Sequence, residues 1–173
     1  TEPSAGSDVS SMETRATRRV DRWTIEGRKT FITNAGIADV YSVFAMTQPD
    51  LGSKGMSAFA LAADTKGLVV ERAIELLAPH PMGEVRFDAC DVTNEHLLGW
   101  EGQGFKTAMS TLDVFRPTVG AAALGFARRA LDEAVSYATK RVQFGKALAA
   151  MQSTQFALAE MATELEAARL LVN

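Results

Sequence analysis

The sequence holds a single cysteine, Cys90, and only two histidines, His80 and His96, in 173 residues. An internal disulfide is excluded, and a zinc site would need carboxylates to complete its ligand set, so no metal site is expected. Long apolar runs are also missing. The longest uncharged apolar stretch, VGAAALGFA at 119–127, is far too short to cross a bilayer, and the opening residues lack a signal-peptide pattern. Nor does charge of one sign dominate: 18 Lys and Arg stand against 21 Asp and Glu, a net charge of -3, which leaves no polybasic surface for nucleic acid. Neither nucleic acid nor a membrane is expected as a partner. What is present, 47% hydrophobic and 23% charged residues, is the composition of a soluble globular product. The lone cysteine is compatible with a reducing compartment, and a cytoplasmic location, or the mitochondrial matrix in a eukaryote, is expected.

The first half reads as strands. WTIEGRKTFIT at 23–33 has β-branched and aromatic residues on either side of Glu26-Gly27, where a turn is expected. YSVFAM at 41–46, MSAFALAA at 56–63, GLVVERAI at 67–74 and GEVRFDACDV at 83–92 follow, each bounded by Gly, Pro, Asp or Asn. These are expected to pair as an antiparallel barrel or sandwich. The period then changes. Leu112, Phe115, Val119, Ala122, Phe126, Ala130, Ala134 and Tyr137 recur at steps of three and four, the stripe of one long helix, and Leu158, Met161, Leu165, Ala168 and Val172 mark a second. The fold class is therefore α+β, with a β domain over 1–98 and a helical segment over 99–173. A helical hairpin cannot bury both helix faces alone, so further helices are expected, from more sequence or from another subunit. The chain is thus expected to be a segment of a longer protein.

Four stretches could carry chemistry. In TEPSAGSDV the small residues Ser4, Ala5, Gly6 and Ser7 let a backbone approach a ligand, although a plain turn with a Ser10/Glu13 capping pattern also accounts for them. KTFITNAG at 29–36 puts Phe31 and Thr33 two residues apart on a strand, a ring and a hydroxyl that could serve a planar group or simply be half-buried. In LDVFRP at 112–117, Asp113 and Arg116 share a helix face and Pro117 cannot bond the Asp113 carbonyl, a feature that costs a helix about 3 kcal/mol. KRVQFGK at 140–146 ends the first helix, with Gly145 expected as its left-handed cap and Arg141 as a possible phosphate ligand.

Taken together, TEPSAGSD, WTIEGRKTFITNAGIADVYSVFA, VTNEHLLGWEGQGFKTAM, LDVFRP, RVQFGKALAAMQSTQ and LAEMATELEAARLLV, in that order, resemble the acyl-CoA dehydrogenase family. The resemblance implies a middle β-barrel domain, then the start of a four-helix up-and-down bundle, without the family's N-terminal helical domain. It implies FAD as cofactor, an acyl-CoA substrate dehydrogenated between its α and β carbons, an electron-transferring flavoprotein as acceptor, and a homodimer or homotetramer. By motif position, Thr1, Gly6 and Ser7 would lie along the flavin and its ribityl-pyrophosphate arm. Phe31, Ile32 and Thr33 would back the isoalloxazine ring, Thr33 reaching its N5 side. Arg141, Gln143, Phe144 and Gln152 would reach FAD across a dimer interface, and Asp113, Arg116 and Ser7 would lie near CoA.

The family's catalytic carboxylate has no counterpart in these residues. Some members place it just before the Arg of the LDxxR pattern, where this chain has Phe115, so no catalytic base is assigned and the chain alone is expected to be inactive. A second departure is LLAPHPMGEVRFDACDV, in which two prolines flank His80. Acyl-CoA oxidases, flavin-dependent monooxygenases of the same fold, and a non-catalytic truncated relative remain as alternatives.

Overall fold

The computed structural model describes residues 1–172. The chain divides into two compact units, one over Thr1–Met109 and a second that begins at Ser110. The first unit contains β1 (Arg15–Arg18), β2 (Arg22–Thr33), β3 (Val40–Met46), β4 (Met56–Ala62), β5 (Leu68–Ala73) and β6 (Met82–Thr93). They form one sheet in the order β4-β3-β1-β2-β6-β5. Alternation decides which side is buried. In β2, Trp23 and Ile25 point inward while Arg22 and Glu26 are exposed, and Val43, Phe59, Leu61, Val85, Phe87 and Cys90 complete the core. Trp23 meets Phe59 edge to face at 5.6 Å and donates its indole N–H to Asn94 at 2.8 Å, so the largest ring is buried with its polar atom satisfied.

The α+β class is as expected, with four differences of detail. Glu26-Gly27 is not a turn: β2 passes through it as one strand, with a bulge between Ile25 and Gly27. Gly27 has φ 149°, and a Cβ there would fall within 2.5–2.8 Å of Thr14, so the closeness of the neighbouring segment demands glycine. The sheet is mixed rather than wholly antiparallel, because β1 pairs with β3 in parallel, Arg15 opposite Met46. Among the described residues β4 and β5 stand at the two ends of the pairing order, so strand pairing does not close a barrel. Finally, Asp8 rather than Ser10 caps the single helical turn Val9–Ser11.

Helix α1 (Gly104–Lys140) begins in the first unit and continues into the second, with Pro117 inside it; α2 (Gln152–Val172) follows. Small residues Gly120, Ala127 and Ala134 of α1 and Met161, Leu165 and Val172 of α2 line an apolar groove of about 770 Å³. Phe126 is 77% and Leu171 88% exposed.

Candidate flavin-facing site

The opening loop is a tight turn clamped to β2. Glu2 N–H donates to the Ala5 carbonyl at 2.7 Å, and Thr30 N–H donates to the Thr1 carbonyl at 3.0 Å. Beneath the turn Lys29 Nζ donates to Glu2 Oε1 at 2.6 Å, with the side chains only 9% and 3% exposed. The same carboxylate accepts the N–H groups of Glu13 at 2.6 Å and Thr14 at 3.2 Å. Burial works against the Glu2 charge, but the bonds from Lys29, Thr14 and Glu13 outweigh it and hold the carboxyl below its ordinary range. Burial also lowers Lys29 below the usual ammonium value.

Next along β2, Phe31 sits at a bulge between Lys29 and Ile32 with φ 56° and is 56% exposed. Left-handed backbone costs an L residue about 1–2 kcal/mol, and an exposed aromatic does little to offset it within this chain. A cavity of about 480 Å³ joins Phe31 to Thr1, Ala5, Gly6 and Thr30. At its edge Arg72 and Glu84 pair at 2.8 Å; the Arg72 hydrogen bond holds the Glu84 carboxyl low, and Thr30 donates to it at 3.1 Å. Ile32 and Thr1 line a second, apolar cavity of about 280 Å³ with Lys29, Tyr41 and Phe105. Thr33 is exposed, its hydroxyl 3.3 Å from His80 Nε2. Ser7 is exposed and lines neither cavity.

In the second unit, β7 (Val142–Gln143) and β8 (Lys146–Ala147) form a two-residue hairpin whose turn is Phe144, φ 50°, and Gly145, φ 76°. Two positive φ values mark a type I′ turn, so Gly145 turns a hairpin rather than capping α1. The helix ends with Arg141 N–H donating to the Tyr137 carbonyl at 2.9 Å, and the Arg141 carbonyl accepts from Leu148 N–H at 2.9 Å. Phe144 is 95% exposed on this strained turn. Arg141, Gln143 and Gln152 are also exposed, Gln152 as the first residue of α2. Asp113 and Arg116 form a solvent-facing pair at 3.5 Å, and Phe115 between them is 56% exposed and accepts no proton.

The structure thus brings Thr1, Gly6 and Phe31 around one cavity; Ile32 and Thr33 follow on β2 and do not line it. A ring, a hydroxyl and a loop of small residues suit a planar group with polar edges, and the Arg141 guanidinium suits a phosphate. The pattern of the sequence does not reveal Glu2–Lys29, Thr30–Glu84 or Thr33–His80, since the partners are 27, 54 and 47 residues apart. The one local signal is Lys29 itself, a cation at a buried strand position. Among the described residues no cluster of His, Cys, Asp and Glu could hold a metal, and no helix is long and apolar enough to cross a membrane.

Two family models match: acyl-CoA dehydrogenase, middle domain, over residues 1–90, and acyl-CoA dehydrogenase, C-terminal domain, over residues 102–173. The probable acyl-CoA dehydrogenase FadE25 of Mycobacterium tuberculosis is 45% identical, over 99% of this chain and 44% of its own length. The butyryl-CoA dehydrogenase of Megasphaera elsdenii superposes with a TM-score of 0.95 at 46% identity, covering 99% of this chain and 46% of that one. A structure described as the electron transferring flavoprotein of Acidaminococcus fermentans contains a chain with a TM-score of 0.94 at 45% identity, with 99% and 46% covered. The chain therefore spans less than half the length of these relatives.

Proposed function

Because the chain belongs to the acyl-CoA dehydrogenase family, we propose that the whole protein removes the α and β hydrogens of an acyl-CoA thioester and passes the electrons through FAD to an electron-transferring flavoprotein. The observation that carries this reading is a pair of exposed rings, Phe31 and Phe144, each held on left-handed backbone at a position where the family resemblance expects flavin. Strain of this kind persists where a surface is built for a ligand or partner.

FAD, when bound, supplies the two-electron acceptor. The chain's own part is alignment. Phe31 and Ile32 back the flavin ring and Thr33 offers a hydroxyl at its edge. Thr1, Gly6 and Ser7 leave room for the ribityl-pyrophosphate arm to approach the backbone, and the buried Glu2–Lys29 pair keeps that loop at a set spacing from β2. Arg141, Gln143, Phe144 and Gln152 reach the FAD of a second copy, which makes the working protein a homodimer or homotetramer. Asp113, Arg116 and Ser7 hold the CoA portion. The α-proton goes to a carboxylate, and none of the described residues is assigned that role. The β domain over 1–98 carries the cofactor, and the helical segment over 99–173 begins the bundle.

The test is the full-length protein. It is expected to purify yellow and to release FAD on denaturation. A folded, full-length preparation that stays colourless and takes up no added FAD would refute the reading.

A further inference from the structure

His80 stands between Pro79 and Pro81 with its Nε2 3.3 Å from the Thr33 hydroxyl. Strand pairing builds this contact. Thr33 is in register with Met82 and Ile32 with Gly83, and Asn34 N–H donates to the Pro81 carbonyl at 2.9 Å. Gly83 presses the segments together: a Cβ there would lie 2.7 Å from the Arg72 carbonyl oxygen and 3.0 Å from the Ala35 Cβ. Each proline fixes its own φ, and Pro81 biases His80 toward extended backbone. The imidazole is therefore carried to the hydroxyl by restricted backbone rather than by a long flexible side chain.

A threonine hydroxyl has one proton and two lone pairs. Where Nε2 bears the ring proton, it donates to Thr33 Oγ1, and the Thr33 proton is free to point at a third group. Where Nε2 is bare, it accepts a hydrogen bond from the Thr33 O–H, and only lone pairs remain for that third group. The imidazole thus decides whether Thr33 presents a donor or an acceptor.

We propose that His80 is a positioning residue that sets the hydrogen-bonding role of Thr33 toward the flavin, and so biases the protein between the oxidised and reduced forms of its cofactor. The proposal rests on the reading that places Thr33 at the flavin edge. Oxidised and reduced flavin differ in the donors and acceptors they display, so fixing the role of one neighbouring hydroxyl favours one form over the other. His80 acts only through Thr33.

The experiment is a redox titration of the full-length flavoprotein, native and as His80→Ala, His80→Gln, Thr33→Val and the double variant His80→Ala/Thr33→Val. Flavin content and the absorption spectrum are recorded for each. The His80→Ala change is expected to alter the ratio of affinities for reduced and oxidised flavin about fivefold, roughly 20 mV for a two-electron couple. The Gln amide, which can donate or accept, is expected to restore most of the native value. In the Thr33→Val background, removing His80 is expected to change nothing further. An unchanged potential in His80→Ala, or an equal shift with and without Thr33, overturns the proposal while leaving the flavin reading intact. A native protein that folds and binds no FAD overturns both.

Discussion

Lys29 Nζ lies 2.6 Å from Glu2 Oε1, and with both side chains buried this pair fastens the opening loop to the strand that carries Phe31 and Thr33. Replacing one partner leaves the other charge buried and unpaired. Glu2→Gln in the full-length protein is expected to cost about 3–5 kcal/mol in urea denaturation, whereas the double change Glu2→Gln/Lys29→Met, which removes both charges and keeps an acceptor for the Glu13 and Thr14 N–H groups, is expected to cost much less.

The same carboxylate gives a pH signature. Its folded value lies below 4.5, so on acidification the unfolded chain takes up the proton first, and the stabilisation present above 4.5 is lost as pH falls through the folded value. Stability curves of native protein and Glu2→Gln are expected to lie well apart near neutrality and to converge in acid. A constant gap across the titration would contradict a charged Glu2 in the clamp.

Glycine replacements separate crowding from backbone strain. Gly27→Ala meets both, with Thr14 within 2.8 Å, while Gly52, φ 54°, has nothing within 4 Å of an added Cβ. Gly52→Ala is expected to lose about 1–3 kcal/mol, because ψ -133° puts this positive φ in a region that residues with a Cβ rarely adopt. Gly27→Ala is expected to lose more, by about 1–3 kcal/mol of overpacking. Thermal unfolding of the two variants checks the order.

These residues also show what was legible in the chain. Runs such as YSVFAM and MSAFALAA announce β3 and β4 because alternation and β-branched or aromatic content are local properties. RATR does not announce β1, since of its four residues only Ala16 is buried and the rest are charged or polar. Glu26-Gly27 imitates a turn because glycine serves a bulge and a turn equally well, and only the approach of Thr14 distinguishes them. Gly145 likewise follows a helix yet turns a hairpin, a choice made by the pairing of Val142 with Ala147. The ring-and-hydroxyl pair at Phe31 and Thr33 was readable as spacing, but its strained backbone and the clamp beneath it depend on partners distant in sequence.

Phe144 should trade stability against binding. Asn tolerates positive φ far better than Phe, so Phe144→Asn is expected to stabilise the cofactor-free protein by up to about 1 kcal/mol. It is expected at the same time to weaken FAD retention at least tenfold, read by fluorescence of released flavin. A variant that is both less stable and fully flavinylated by bound cofactor would contradict an interface role for the ring.

Arg116 should do the reverse. Its pair with Asp113 is solvent-facing, and such pairs contribute about 0–1 kcal/mol, so Arg116→Ala is expected to leave the melting temperature nearly unchanged. Affinity for an acyl-CoA is expected to fall while flavin content stays native, measured by calorimetric titration.

The most direct measurement adds acyl-CoA thioesters, short, medium, long and branched, to the full-length flavoprotein without oxygen and follows the flavin absorbance. At least one thioester is expected to bleach the oxidised flavin band with formation of the α,β-unsaturated product, and an electron-transferring flavoprotein is expected to restore the band. A folded, FAD-loaded protein whose spectrum no acyl-CoA alters would contradict the proposed dehydrogenation.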